Sequence, residues 1–332
     1  MIDNILYNIS RQVCCLFYMR KIILYIKDEC MHKKSIVFIT ISIGVFLSWP
    51  FVAGIALAVD GVIEINQVRA ESGGISPGDS AGFPVTLSQS GSYVLTSNLN
   101  VPVDTNGIVI TAPDVTINLN GFTVAGNGGD SGHGITSYVS GVGFQDHITV
   151  LNGMVKEMGL DGIRIDDQSL VKAIHAHDNA NDGIDVGSGS TVSGNTAYAN
   201  GSYGIAAFSG SSISGNTVNN NGDDGIHADL GCTVNDNSAY YNGDDGIVAS
   251  SGNTIMGNTV YDNSDDGIFA YAGCTLIGNT ARNNDSFGFN LGGNCGYKGN
   301  VLTGNNGGNT NKQVSGGTEI GKNVCGTDTT CP

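Results

Sequence analysis

The chain has 332 residues, 50 of them glycine, with 14 basic against 30 acidic side chains and a net charge of −16. A surface this acidic repels nucleic acid and anionic lipid, so an anionic partner needs a bridging cation or a local basic patch, whereas a neutral glycan meets no such obstacle. No Gly-rich loop opens a helix to cradle a phosphate, and nothing implies a nucleotide, haem or flavin.

Residues 1–30 carry Cys14, Cys15 and Cys30 without a globular pattern, and Met31 reads as the natural start. From Met31-His-Lys-Lys an apolar run extends from Ser35 to Leu57 and ends in Ala56-Leu57-Ala58, the form of a secretory signal peptide over 31–58 cut after Ala58. Retention of the run as an N-terminal anchor is the competing reading. Cleavage would remove 6 of the 14 basic and 3 of the 30 acidic residues, leaving 8 against 27 and a mature charge near −19. The expectation is a secreted, periplasmic or cell-surface monomer with no membrane contact after cleavage.

Residues 59–160 read as wider entry coils, with alternating strands at Tyr93-Val-Leu-Thr, Gly107-Ile-Val-Ile, Val115-Thr-Ile-Asn and His147-Ile-Thr-Val. From residue 161 to 305 a dipeptide recurs every 21 residues: Gly162-Ile163, Gly183-Ile184, Gly204-Ile205, Gly225-Ile226, Gly246-Ile247, Gly267-Ile268 and Gly288-Phe289. Equal intervals without insertion mean that every unit meets its neighbours through one geometry, a solenoid. The units hold Gly, Asn, Asp, Ser and Thr with period-2 apolar positions, so they are β and not helical. Three short strands fit in each, for example around Ile205, Ile213 and Val218. Stacking at about 4.8 Å turns Ile184 to Ile268 and Val192 to Leu276 into inward columns. Two asparagine columns, Asn195 to Asn300 and Asn179 to Asn305, are expected to chain amides from coil to coil. Residues 306–332 should cap the last coil.

Five cysteines fall in the mature part. Cys274 and Cys295 share a phase one coil apart, within the Cα span of a disulfide of about 4.4–6.8 Å. They are expected to pair, as are Cys325 and Cys331, with Cys232 left free. Buried thiols filling a corner column are the competing reading for Cys274 and Cys295.

The stretches Gly-Asp-Ser-Ala-Gly-Phe-Pro-Val (78–85), Gly-Ser-Tyr-Val-Leu-Thr (91–96), Asn-Leu-Asn-Gly-Phe-Thr-Val (118–124), the repeated Ser-Gly-Asn-Thr, and Val-Ser-Gly-Gly-Thr-Glu-Ile-Gly-Lys-Asn-Val-Cys (314–325) carry a resemblance. From about residue 62 the chain resembles secreted bacterial right-handed parallel β-helix repeat proteins of the pectate-lyase-like superfamily. The resemblance implies an all-β right-handed parallel β-helix with three strands per 21-residue coil. It does not choose among lyases, glycosidases, epimerases, tailspikes and adhesins.

The resemblance also makes the Gly-Ile strand the first of each coil, whose outer face holds the substrate groove in many enzymes of that superfamily. By parity its outward residues are Arg164 and Asp166, Asp185, Ala206 and Phe208, His227 and Asp229, Val248 and Ser250, Phe269 and Tyr271. A column this varied does not build the stack, and a solvated face with chance charges and one aromatic cluster is the competing reading. Arg164, Asp166, Asp185, His227 and Asp229 are the catalytic candidates, since such groups can move a proton at a uronate C5 or a glycosidic oxygen. Phe208, Phe269 and Tyr271 could stack on sugars, as could the third-strand tyrosines Tyr198, Tyr240 and Tyr261, against the plainer reading of cross-strand pairs.

The turn Asn-x-Asp-Asp-Gly places Asp223 and Asp224, Asp244 and Asp245, and Asp265 and Asp266 on three successive coils. Their repulsion would be relieved by raised pKa values or by bound Ca2+, with turn hydrogen bonding as the alternative role. His175 and His177 share one side of a strand, but no third ligand is evident and Asp178 points elsewhere by parity. Gly132-His133-Gly134 is read as a loop. The resulting expectation is a polysaccharide-binding protein that either works as a Ca2+-assisted lyase or epimerase on an acidic glycan or serves as a non-catalytic structural or adhesin-like rod.

Overall fold

The computed structural model describes residues 61–138, 143–308, 310–326 and 331; the proposed early start and signal segment lie outside these residues. Within the described residues the strands pair in parallel and join one sheet that winds as a coil. In the first-strand column Ile163, Ile184, Ile205, Ile226, Ile247, Ile268 and Phe289 are successive register partners at the 21-residue stride. Upstream the partners Val85, Ile108, Ile135 and Ile163 lie 23, 27 and 28 residues apart, so the entry coils carry longer corners.

The three strands of a regular coil are short, as in Ile205–Ala207, Ser212–Ser214 and Thr217–Asn219. Their central or flanking apolar residues point inward: Ile205, Ile213 and Val218 are fully buried, as are their counterparts in the neighbouring coils. The glycine of each Gly-Ile pair is required by close approach. A Cβ on Gly225 would lie 2.6 Å from both Asn242 Nδ2 and Gly246 O.

Each Asn side chain serves two coils. Asn221 Oδ1 accepts from the Asn200 backbone N–H at 3.2 Å and from Asn200 Nδ2 at 3.0 Å, while Asn221 Nδ2 donates to Ala197 O at 3.2 Å and Asn242 Oδ1 at 3.0 Å. The amide therefore satisfies buried groups that water cannot reach. Both ladders end in tail residues: Gln313 Oε1 accepts from Asn305 Nδ2 at 2.9 Å, and Asn323 Oδ1 accepts from Asn300 Nδ2 at 2.9 Å.

At the other end, a helix not anticipated from the repeat pattern spans Gln67–Ser72, with Asn66 as its N-cap. Its Ala70 joins the core, and Gln67 Oε1 accepts from the Asn100 N–H at 2.8 Å.

Cys325 and Cys331 form a disulfide. Cys274 and Cys295 do not: both are buried free thiols, as is Cys232. The thiols follow the pattern of Ser190 and Ser211 in the same column, each donating to a carbonyl 24 residues back. Cys274 Sγ donates to Ser250 O at 3.1 Å and Cys295 Sγ to Tyr271 O at 2.7 Å. In a parallel stack, side chains with the same hydrogen bond are translated copies, so the sulfurs point along the axis together and do not converge.

Candidate functional site on the first-strand face

The outward column of the first strands runs Arg164, Asp185, Ala206, His227, Val248, Phe269 and Asn290 in continuous register. Arg164 Nε lies 3.6 Å from Asp185 Oδ2, and this Nε is buried without a hydrogen bond. Burial raises the Asp185 carboxyl to about 7, with Asp161 and Asp182 adding to the shift and Arg164 opposing it. The pair lines an open cleft of about 210 Å3 together with Phe144, Asp166, Asp167, Gly187 and Phe208. Gly187 is required by close approach of the neighbouring coil, since a Cβ there would sit 2.5 Å from Asp166 Oδ1 and from the Asp167 backbone N. The Arg164 guanidinium carbon is 5.7 Å from the centre of the Phe144 ring and 6.0 Å from that of Tyr138. Phe144 and Tyr138 come from an entry coil, outside the regular repeat.

Further along the face, His227 does not work with Asp229. Its Nδ1 lies 3.2 Å from Asp224 Oδ2, and its ring is 4.8 Å from that of Tyr203. Asp229 follows the end of the Ile226–Ala228 strand and accepts from Ser209 Oγ at 2.6 Å. Tyr203 was not singled out from the sequence, although it breaks a column that otherwise reads Asp161, Asp182, Asp224, Asp245 and Asp266. Phe269 and Tyr271 pack edge to face with centroids 4.9 Å apart, and Tyr271 is exposed.

The acidic column links coils. Asp224 Oδ1 accepts from the Asp245 N–H at 3.2 Å, Asp245 Oδ1 from the Asp266 N–H at 2.7 Å, and Asp266 Oδ1 from the Phe287 N–H at 2.8 Å. Asp161 and Asp182 do the same for Asp182 and Tyr203. Burial raises Asp245 to about 8, with Asp266, Asp224 and Asp244 adding repulsion. Asp182 rises to about 6 through burial and Asp161. Burial would also raise Asp161, but a hydrogen bond and the charge from His133, whose Nδ1 is 3.1 Å away, hold it below the usual carboxylate range.

Carboxylate oxygens of Asp223, Asp224 and Asp244 come within 4.8 Å of one another, as do those of Asp244, Asp245 and Asp265. Ligands about 2.4 Å from one Ca2+ can be separated by up to this much, so both groups fit the ion's oxygen chemistry. Asp266 belongs to neither group, and its second oxygen accepts from Asn290 Nδ2 at 2.8 Å.

On the third-strand face the rings stack on one another. Tyr240 and Tyr261 lie 4.7 Å apart with planes 4° from parallel, and His177 and Tyr198 lie 4.6 Å apart at 9°. Neighbours thus cover one face each of Tyr198 and Tyr240, and Tyr261 has Tyr240 and Arg282 against it. Asp178, expected to point away, instead reaches His177 Nδ1 at 2.6 Å. Its φ of 55° is left-handed, and a residue in that conformation escapes strand parity.

Residues 161–307 match the family model described as right handed beta helix region. No curated protein sequence matches the chain. Among solved structures, the chain is similar to the Azotobacter vinelandii mannuronan C-5 epimerase AlgE6 A-module, with 18% identity over 74% of this chain and 83% of that one and a TM-score of 0.51. It is also similar to a mutant form of the periplasmic alginate epimerase AlgG, with 16% identity over 79% of this chain and 82% of that one and a TM-score of 0.53. At these identities the likeness concerns fold, and among the described residues no helix is long and apolar enough to cross a membrane. The chain is a right-handed parallel β-helix.

Proposed function

We propose that this chain is an exported protein that binds an acidic polysaccharide along the first-strand face and moves a proton on it in the Arg164–Asp185 cleft. The carrying observation is the pairing of a guanidinium with a carboxyl raised to about 7 in an open cleft lined also by Phe144 and Phe208. Arg164 would engage a uronate carboxylate, lowering the negative charge that would otherwise oppose removal of the C5 proton. Asp185, titrating near neutrality, is suited to accept that proton. Phe144 and Phe208 supply apolar surface for the sugar. His227 lies two rungs from Asp185, on the order of 10 Å at the usual strand spacing, so the two do not reach one reacting carbon. His227 therefore contacts a neighbouring sugar. The names of the two similar structures, both epimerases of alginate or mannuronan, accord with a uronate ligand. Ca2+ held by Asp223, Asp224, Asp244, Asp245 and Asp265 would bridge further carboxylates of the glycan to an acidic surface.

A non-catalytic rod is the second reading, favoured by the way the buried Asp of each turn is used as a backbone cap between coils. Calorimetric titration with alginate and polygalacturonate oligomers, with and without Ca2+, separates the two. Ultraviolet absorbance detects unsaturated product, and NMR detects altered epimer content. Saturable binding that Arg164→Ala weakens at least about tenfold, the scale of a lost charge-assisted contact, is expected. Absence of binding and turnover would leave the rod.

A further inference from the structure

The corner after the third strand is built in the regular coils by one residue with positive φ: Asp178, Ala199, Asn220, Tyr241, Asp262 and Asn283, with φ between 52° and 56°, and Gly304 at 73°. Asn and Asp tolerate this conformation, and a bulky aromatic residue seldom adopts it. A tyrosine at this corner is therefore strained relative to its Asp and Asn counterparts, and it gains little burial in return, being 55% exposed. Backbone strain of this kind is a reason to look for a function.

The Tyr241 ring stands across the stacked pair, at 75° to Tyr240 with centroids 5.6 Å apart and at 72° to Tyr261 with centroids 6.1 Å apart. Tyr240 and Tyr261 stack along the coil axis, so the plane of Tyr241 runs along that axis. Unlike the stacked faces, much of its ring stays open to solvent, the residue being half exposed. One coil beyond Tyr261, the Arg282 guanidinium lies 4.6 Å from that ring and forms no ion pair among the described residues. It is a free cation on a strongly acidic chain.

We propose that Tyr241 and Arg282 form a second polyuronate contact on the third-strand face, with a sugar ring on the open face of Tyr241 and its neighbour's carboxylate on Arg282. The inference rests on the acidic-glycan reading and deepens it: a long polymer is held at two faces of the rod, while a short oligomer engages the first-strand cleft alone. Linking two modest contacts through one chain raises affinity without a new contact at either.

The test uses the protein with long-chain alginate or polygalacturonate and, separately, short oligomers of the same sugars. Tyr241→Asn restores the residue type that the corner prefers, so the fold should be unharmed and the melting temperature unchanged or higher. This variant and Arg282→Gln are each expected to weaken polymer binding by about tenfold or more while oligomer binding stays as before. Polymer affinity unchanged in Tyr241→Asn, with oligomer binding lost in Arg164→Ala, would overturn the second contact and leave the cleft standing. Polymer binding lost in Tyr241→Asn but retained in Arg164→Ala would support the second contact and remove the cleft. No binding of polymer or oligomer by the unaltered protein would overturn both.

Discussion

Two corners of the same coil use one hydrogen-bond geometry with different chemistry. At the asparagine corner, Asn221 Oδ1 caps the Asn200 N–H of the coil before it; at the aspartate corner, Asp224 Oδ1 accepts from the Asp245 N–H of the coil after it. The amide also donates, so each Asn passes a hydrogen bond onward and the column is neutral and complete. An ionised carboxylate only accepts, which leaves a second oxygen with no donor to offer and a charge stacked at rung spacing. That oxygen goes to His227 from Asp224 and to Asn290 from Asp266. The uniform column holds the rod together, and the interrupted one supplies titratable groups at the edge of the first-strand face.

The sharpest way to break this contrast is at the uniform column. Asn221→Ala strips partners from Asn200, Asn242 and Ala197 at once, and with buried unpaired groups costing about 1–3 kcal/mol each, a loss of about 3 kcal/mol or more is expected in denaturant unfolding. A loss below about 1 kcal/mol would show that the ladder is ornamental.

At the charged column the expected effect depends on pH. Asp245 is raised to about 8 in the folded protein, above its ordinary value of 3.8, so the folded state binds the extra proton between these values. Its contribution to stability is therefore full below about 3.8 and lost as pH rises through 8. The melting temperature should fall across that window. Asp245→Asn, which can keep the acceptor for the Asp266 N–H, should flatten the fall, and Ca2+ added at pH 8 should reverse it in the unaltered protein. Parallel pH profiles for the variant and the parent would count against a shifted Asp245.

The smallest effect concerns the cysteine column. Because Cys274 occupies the role that Ser190 and Ser211 fill elsewhere, Cys274→Ser should change stability by less than about 1 kcal/mol, whereas loss of a native disulfide costs about 2–5 kcal/mol. Equilibrium unfolding with and without reductant distinguishes them.

The stride of Gly-Ile pairs, the inward columns and the two asparagine ladders were legible from residues alone, because a parallel coil repeats its register and every rung obeys the same alternation. Arg164 beside Asp185 followed from the same rule. The rule stops at the corners, where positive φ turns a side chain out of strand parity; hence Asp178 meets His177, and Tyr241 spreads over its neighbours. Spacing also could not choose Asp224 over Asp229 as the partner of His227, since one precedes the strand and the other follows it. Sequence by itself determined the period, the handful of columns and which strand residues face out. Only the tertiary structure decided that Phe144, from a non-repeating entry coil, overlies Arg164, and that Cys274 and Cys295 run parallel instead of joining. Contacts made by translation along the axis can be counted from a repeat, whereas contacts that leave the axis depend on corner dihedrals that the repeat does not encode.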